Sequence, residues 1–245
     1  MNKVMGININ SITYGNPEGY DVVLLHGWGQ NIEMMKPVGD ALQKDYLVTI
    51  IDLPGHGSSE EPKTPWELSD FVNMLDQLFH KLKIKNPILI GHSFGGKISL
   101  LYASKHPVKK LILFGSPFKQ AIKKTTMKVK VLKTLKKIPG ISKFEEYAKK
   151  HMGSTDYRNA SPIMRKILVN HVNTDITEDV KKITCPTIII WGTNDEAVPL
   201  ADAYELESLL KDAAVIEYAG CTHYAYLEDL VRTRKIIYNF LESER

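Results

Sequence analysis

Short apolar runs rich in β-branched residues recur along the chain: Val22–Leu25, Leu47–Ile51, Ile88–Ile90, Leu111–Phe114, Thr187–Trp191 and Val215–Tyr218. Amphipathic stretches separate most of them. A strand that is apolar along its whole length has to be covered on both faces, and a parallel neighbour is reached only through a crossover long enough to hold a helix. The alternation therefore predicts an α/β fold, a mostly parallel sheet with helices on both faces. Residues 4–14 are expected to add one or two antiparallel edge strands. At 245 residues the chain is long enough to bury a large single core.

The helices have local causes. Thr64-Pro65-Trp66-Glu67 reads as a capping box with proline at the first helical position. Leu68, Phe71, Val72, Leu75, Leu78, Phe79 and Leu82 then follow helical spacing. Lys81, Lys83 and Lys85 lie where the helix dipole favours cations, and Asn86-Pro87 stops the helix before the next strand. A last helix is expected from about Asp229 to Leu241.

Between Phe114 and Thr187 the alternation lapses. Helical patterns continue there, broken at Pro139-Gly140, Gly153 and Ser161-Pro162, without a strong strand. A simple crossover needs only a dozen or more residues. The segment 118–182 is therefore read as a helical cap inserted into a core made of 1–117 and 183–245. Loops at the carboxyl ends of parallel strands are where such sheets bind ligands.

The most specific chemical signal is Gly91-His92-Ser93-Phe94-Gly95-Gly96. A strand, Ile88 to Ile90, precedes it and a helix, Lys97 to Ser104, is expected after it. That is the context of a nucleophile elbow, in which the serine projects from a sharp turn above the sheet. A serine hydroxyl needs a base. On sheets that carry this elbow, an acid and then a histidine follow the serine in the chain. After Leu111–Phe114 comes Gly115-Ser116-Pro117, with no carboxylate; after Thr187–Trp191 comes Gly192-Thr193-Asn194-Asp195-Glu196. Asp195 is thus the candidate acid. Of the histidines after Ser93, namely His106, His151, His171 and His223, only His223 lies beyond Asp195, so it is the candidate base. Two N–H groups are expected to bind an oxyanion: that of Phe94, next to the serine, and that of Trp28 in the loop His26-Gly27-Trp28-Gly29. His92 and His56 are read as packed and turn residues.

These motifs, with Asp52-Leu53-Pro54-Gly55-His56-Gly57-Ser58-Ser59 and Glu228 five residues past His223, resemble the α/β-hydrolase superfamily along nearly the whole chain. The resemblance implies an eight-stranded, mostly parallel sheet, a helical cap after the sixth strand, and no cofactor. It departs from the family at Thr222, where glycine often stands before the histidine. Haloalkane dehalogenases and epoxide hydrolases of this fold carry aspartate as nucleophile and dienelactone hydrolases carry cysteine; Ser93 argues against all three. The expectation is a carboxylic-ester hydrolase acting on a small-molecule ester. Other acyl or C–C bond hydrolysis on the same three residues is a rival, as is a slow-turnover ligand-binding protein.

Composition narrows the setting. No apolar stretch is long enough to span a bilayer, and the N-terminus lacks the apolar block of a signal peptide. Cys185 and Cys221 are too few for a disulfide framework. A cytoplasmic enzyme is the expectation. The net charge is only +4, yet Lys119, Lys123, Lys124, Lys128, Lys130, Lys133, Lys136 and Lys137 crowd one stretch without an acid. Ala121, Met127, Val131 and Leu135 are spaced to leave one helix side apolar, with the lysines on the other. Such a face is simply solvated, docks an acidic carrier protein or an anionic substrate, or binds anionic lipid. Capped esterases that cleave pimeloyl–acyl-carrier-protein methyl ester have an early loop similar to His26-Gly27-Trp28-Gly29. No nucleic-acid-binding module is recognised.

Overall fold

Each of the six apolar runs is a strand, lengthened by up to two residues at one end, in a computed structural model that describes residues 1–120 and 155–243. The strands are β4 (Tyr20–Leu25), β5 (Tyr46–Ile51), β6 (Ile88–His92), β7 (Lys110–Phe114), β8 (Thr187–Gly192) and β9 (Ala213–Tyr218). They pair in parallel, in the order β5-β4-β6-β7-β8-β9. β3 (Ser11–Gly15) adds an antiparallel edge against β5.

The sheet among the described residues has seven strands where eight were expected. β1 (Asn2–Val4) and β2 (Ile7–Ile9) form a separate antiparallel pair. The cause lies in polar residues within β2 and just after it. Asn8 exchanges hydrogen bonds with Glu60, and Asn10 binds the Ser59 hydroxyl and the Asp52 carboxylate at 2.8 Å each. Those backbone groups are satisfied by a loop, so the hairpin is not extended into the sheet.

Side chains alternate across the pleat, and each face has its own helices. The face that carries Val23 and Leu25 shares a core with α2 (Leu68–Leu82), α3 (Phe94–Ala103) and α7 (Leu200–Leu209), through residues such as Phe71, Leu75, Ile98 and Leu206. The face that carries Val22 and Leu24 shares a second core with α1 (Ile32–Leu42), α8 (Ala225–Glu228) and α9 (Leu230–Glu242), through Met35, Val38, Leu42, Tyr226 and Ile237. Asp229 caps α9 by accepting the Arg232 N–H at 3.1 Å, where the sequence places the start of the last helix.

α2 starts later than the Thr64-Pro65 signal suggests. Asp70 accepts the Glu67 N–H at 2.8 Å, which makes Glu67 the cap. Trp66 stacks edge-on against Phe71, ring centroids 5.3 Å apart, and this apolar staple sets the chain's entry angle. α2 ends at Leu82 because Lys83 turns left-handed at φ 61°, before Asn86-Pro87 is reached.

The described part of 118–182 is helical: α4 (Thr155–Asn159), α5 (Pro162–Asn173) and α6 (Thr177–Val180). The Ser161 hydroxyl caps α5 through the Met164 N–H at 3.1 Å. Met164 and Ile167 of α5 join the core on the α2–α3 side. Residues 121–154, with Lys123 to Lys137 and the apolar positions between them, lie outside the described residues. Lys119 is described, and it is paired with Asp202 at 2.9 Å and Glu205 at 2.5 Å. No helix among the described residues is long and apolar enough to cross a membrane.

Candidate active site

Ser93 sits between β6 and α3 with φ 50° and ψ −113°, outside the regions an L-residue normally occupies. Tight packing under the turn holds it there. A Cβ on Gly91 would lie 2.5 Å from Gly96 Cα, and one on Gly95 would lie 2.4 Å from the Leu25 carbonyl oxygen. The turn can come this close to β4 only because both residues lack a side chain. The Ser93 N–H donates to Phe114 O at 2.9 Å, which ties the turn to β7. As the first helical residue, Phe94 has no intrahelical partner for its N–H.

Asp195 follows β8 and is fully buried at its side chain. One carboxylate oxygen accepts the Ala197 and Val198 N–H groups at 2.8 and 2.9 Å. The other meets His223 Nδ1 at 2.7 Å. With Nδ1 directed at a carboxylate, the ring donates its proton there and leaves Nε2 as a lone pair. The His223 loop is stiffened where the sequence departs from the family: the Thr222 N–H donates to Glu228 at 2.9 Å, and its hydroxyl donates to the same carboxylate. Ser93 and His223 line one cavity of about 580 Å³. The Ser93 hydroxyl makes no hydrogen bond among the described residues, and such contacts commonly tighten only when substrate is bound.

Trp28 also lines this cavity. Its indole packs edge-on against His56 and Phe94, with centroids 4.9 and 5.3 Å away. The loop beneath it is held by Gln30, whose Oε1 accepts the Gly27 N–H at 2.9 Å. His26 is buried, and its Nε2 accepts the Leu53 N–H at 3.0 Å, so its proton is on Nδ1, facing Gly27 O at 2.7 Å. Burial pushes His26 down to about 4 and His92 down to about 3. His92, fully enclosed, contacts Gln30 Oε1 and His223 O at 3.1 and 3.0 Å. It is the packed, hydrogen-bonded residue that the sequence suggested.

The sequence missed two residues of the cavity wall. Lys97 is buried, and its ammonium donates to the His171 and Thr174 backbone oxygens at 2.9 and 2.6 Å, joining α3 to the end of α5. Burial pushes it down to about 8. The His171 ring lies 4.3 Å from the Phe94 ring, and burial, with the nearby Lys97 cation, holds it well below the usual histidine value. A lone cation just before the largely apolar run Ile98-Ser99-Leu100-Leu101 is the available signal for Lys97. His171 was considered only as a base, and chain order excluded it.

Comparison with known proteins agrees with this fold. A family model described as alpha/beta hydrolase fold matches residues 21–137 and 128–230. The proline iminopeptidase of Heyndrickxia coagulans is 28% identical over 93% of this chain and 92% of its own. The pimeloyl-[acyl-carrier protein] methyl ester esterase of Chromobacterium violaceum is 27% identical over 88% of this chain and 92% of its own. Among solved structures, the enol-lactonase of Burkholderia xenovorans superposes with a TM-score of 0.78 at 21% identity, covering 99% of both chains.

Proposed function

Because the chain belongs to the α/β-hydrolase fold family and is an enzyme of the hydrolase class, we propose that it cleaves carboxylic esters through a Ser93 acyl-enzyme. Ser93 Oγ attacks the ester carbonyl carbon while His223 Nε2 takes its proton. The N–H groups of Trp28 and Phe94 receive the negative charge that develops on the carbonyl oxygen. As the C–O bond breaks, His223 returns the proton to the leaving alcohol. Water, deprotonated by His223, then attacks the acyl-enzyme and releases the acid and free Ser93. Asp195 holds the imidazole tautomer and stabilises the imidazolium without taking the proton.

The observation that carries this reading is the 2.7 Å contact between His223 Nδ1 and a buried Asp195 carboxylate, at the edge of the cavity that Ser93 enters. The described residues Lys119, Gln120, Asp156, Leu168, His171 and Val172 line this cavity, which supports reading 118–182 as its cap. The curated relatives include a peptidase and an ester hydrolase, so the bond cleaved is the point to test. A panel of p-nitrophenyl esters of graded acyl length is expected to show many turnovers per enzyme. A stoichiometric burst with no further turnover would instead indicate a ligand-binding protein. Turnover of prolyl anilides in place of esters would move the assignment to the amide bond.

A further inference from the structure

Lys97 and His171 line the cavity with Ser93, yet neither takes part in the acyl transfer described above. Lys97 lies four residues past the nucleophile, about 6 Å along the helix at its usual rise. An ammonium carries three donors, and two are used on backbone oxygens of α5 and the residue that follows it. No carboxylate among the described residues makes an ion pair with it; Asp175 acts on it only through longer-range attraction. One donor of a buried cation is left over.

His171 is 8% exposed, and its Nδ1 is the one buried side-chain nitrogen or oxygen among the described residues without a hydrogen-bond partner. A neutral imidazole has a single N–H. On the enclosed Nδ1 it would be an unpaired donor near the Lys97 cation, so the proton belongs on Nε2. The ring is then a donor with no acceptor among the described residues. Elsewhere the wall is apolar at Pro117, Leu168, Val172 and Val198. Of its other charges, Lys119 and Asp202 neutralise each other at 2.9 Å, and Asp156 and Glu196 are acidic.

We propose that this cavity recognises an ester whose acyl chain ends in a carboxylate, seated on the Lys97 ammonium and the His171 ring N–H, so that the substrate class is the half-ester of a short dicarboxylic acid. A carboxylate is acceptor-only and supplies what both groups lack. The short distance from Ser93 to Lys97 along α3 limits the spacer to a few methylenes. The apolar wall suits those methylenes. This inference rests on the ester-hydrolase reading.

Methyl hexanoate and monomethyl adipate have acyl chains of the same length and differ only in a terminal methyl or carboxylate. Titration of released acid gives kcat/KM for each, and the wild type is expected to favour the half-ester at least tenfold, the usual scale of a charge-assisted hydrogen bond. His171→Phe keeps the ring packing on Phe94 and removes the nitrogens; Lys97→Met keeps the stem and removes the charge. Each should bring the preference towards unity, and His171→Gln, which restores a donor, should recover part of it. Melting temperatures show whether a variant has lost its fold. Calorimetry on Ser93→Ala reads recognition without turnover and should give the same order of affinity. If Ser93→Ala prefers the half-ester while the wild type hydrolyses neither compound, recognition stands and the hydrolase reading falls. If the wild type hydrolyses both equally and Ser93→Ala binds both equally, or if the preference survives both substitutions, the carboxylate site is wrong and the hydrolase reading stands.

Discussion

The proposed set Ser93, Asp195 and His223 is read from sequence mainly through chain order. A serine between close-packed glycines fixes the first position, one carboxylate loop follows a late strand, and a single histidine lies beyond it. The geometry adds how the base is held. Asp195→Asn keeps the two backbone hydrogen bonds only if the amide oxygen faces Ala197 and Val198, which leaves an NH₂ facing Nδ1 and favours the wrong tautomer. The expected fall in kcat is about three to four orders of magnitude, with melting temperature nearly unchanged. Gly115, at φ 50°, tests the placement of the pair from outside it: an added Cβ would lie 2.9 Å from His223 Nδ1 and 3.2 Å from Asp195 Oδ2. Gly115→Ala should lower kcat by about tenfold to a hundredfold, as small misplacements of catalytic groups do. Unchanged kcat would mean that the pair has room to spare. Lys97 and His171 were not legible, because their partners are backbone oxygens and a ring that only the folded chain brings close.

Elements were read well where periodicity decides and poorly where a side chain does. The parallel strands follow from uninterrupted apolar runs, and the last helix lies where the sequence places it. The separate β1–β2 hairpin and the late start of α2 depend on Asn8, Asn10, Glu67 and Asp70, whose hydrogen bonds leave no mark in a pattern of apolar residues. Asp52 shows what these groups are worth. Its carboxylate accepts the Ile32 N–H at 2.8 Å, the Ser58 N–H at 2.9 Å and the Asn10 amide at 2.8 Å, joining β3, β5 and the start of α1 behind the Trp28 loop. Asp52→Ala leaves buried donors without an acceptor and should destabilise the fold by about 2–4 kcal/mol, measured by urea denaturation. A loss near zero would mean that water replaces the carboxylate.

Across the whole molecule, a fold with helices on both faces leaves the carboxyl ends of β6, β8 and β9 to supply the proposed chemistry, with described residues of 118–182 such as Leu168 and His171 in the cavity wall. The lysine-rich stretch of that segment was legible as a charge pattern; what it meets was not, since charge names a class of partner and no individual. If it docks an ester carried on an acidic protein, Lys123→Glu, Lys124→Glu, Lys128→Glu and Lys130→Glu together should raise KM for that carrier-bound ester, and salt should raise it too, because exposed charges are screened beyond roughly 8 Å at physiological strength. Methyl hexanoate should be nearly indifferent to both. Equal responses of the two esters would leave the lysines as a solvated face. The most direct measurement, however, concerns one atom. A fluorophosphonate should form a covalent adduct that peptide mass mapping places on Ser93, and Ser93→Ala should lose both the adduct and ester turnover, down to the residue left by binding and the oxyanion donors. An adduct on any other residue, or a Ser93→Ala protein that turns over ester near the wild-type rate, would contradict the assignment of Ser93 as nucleophile.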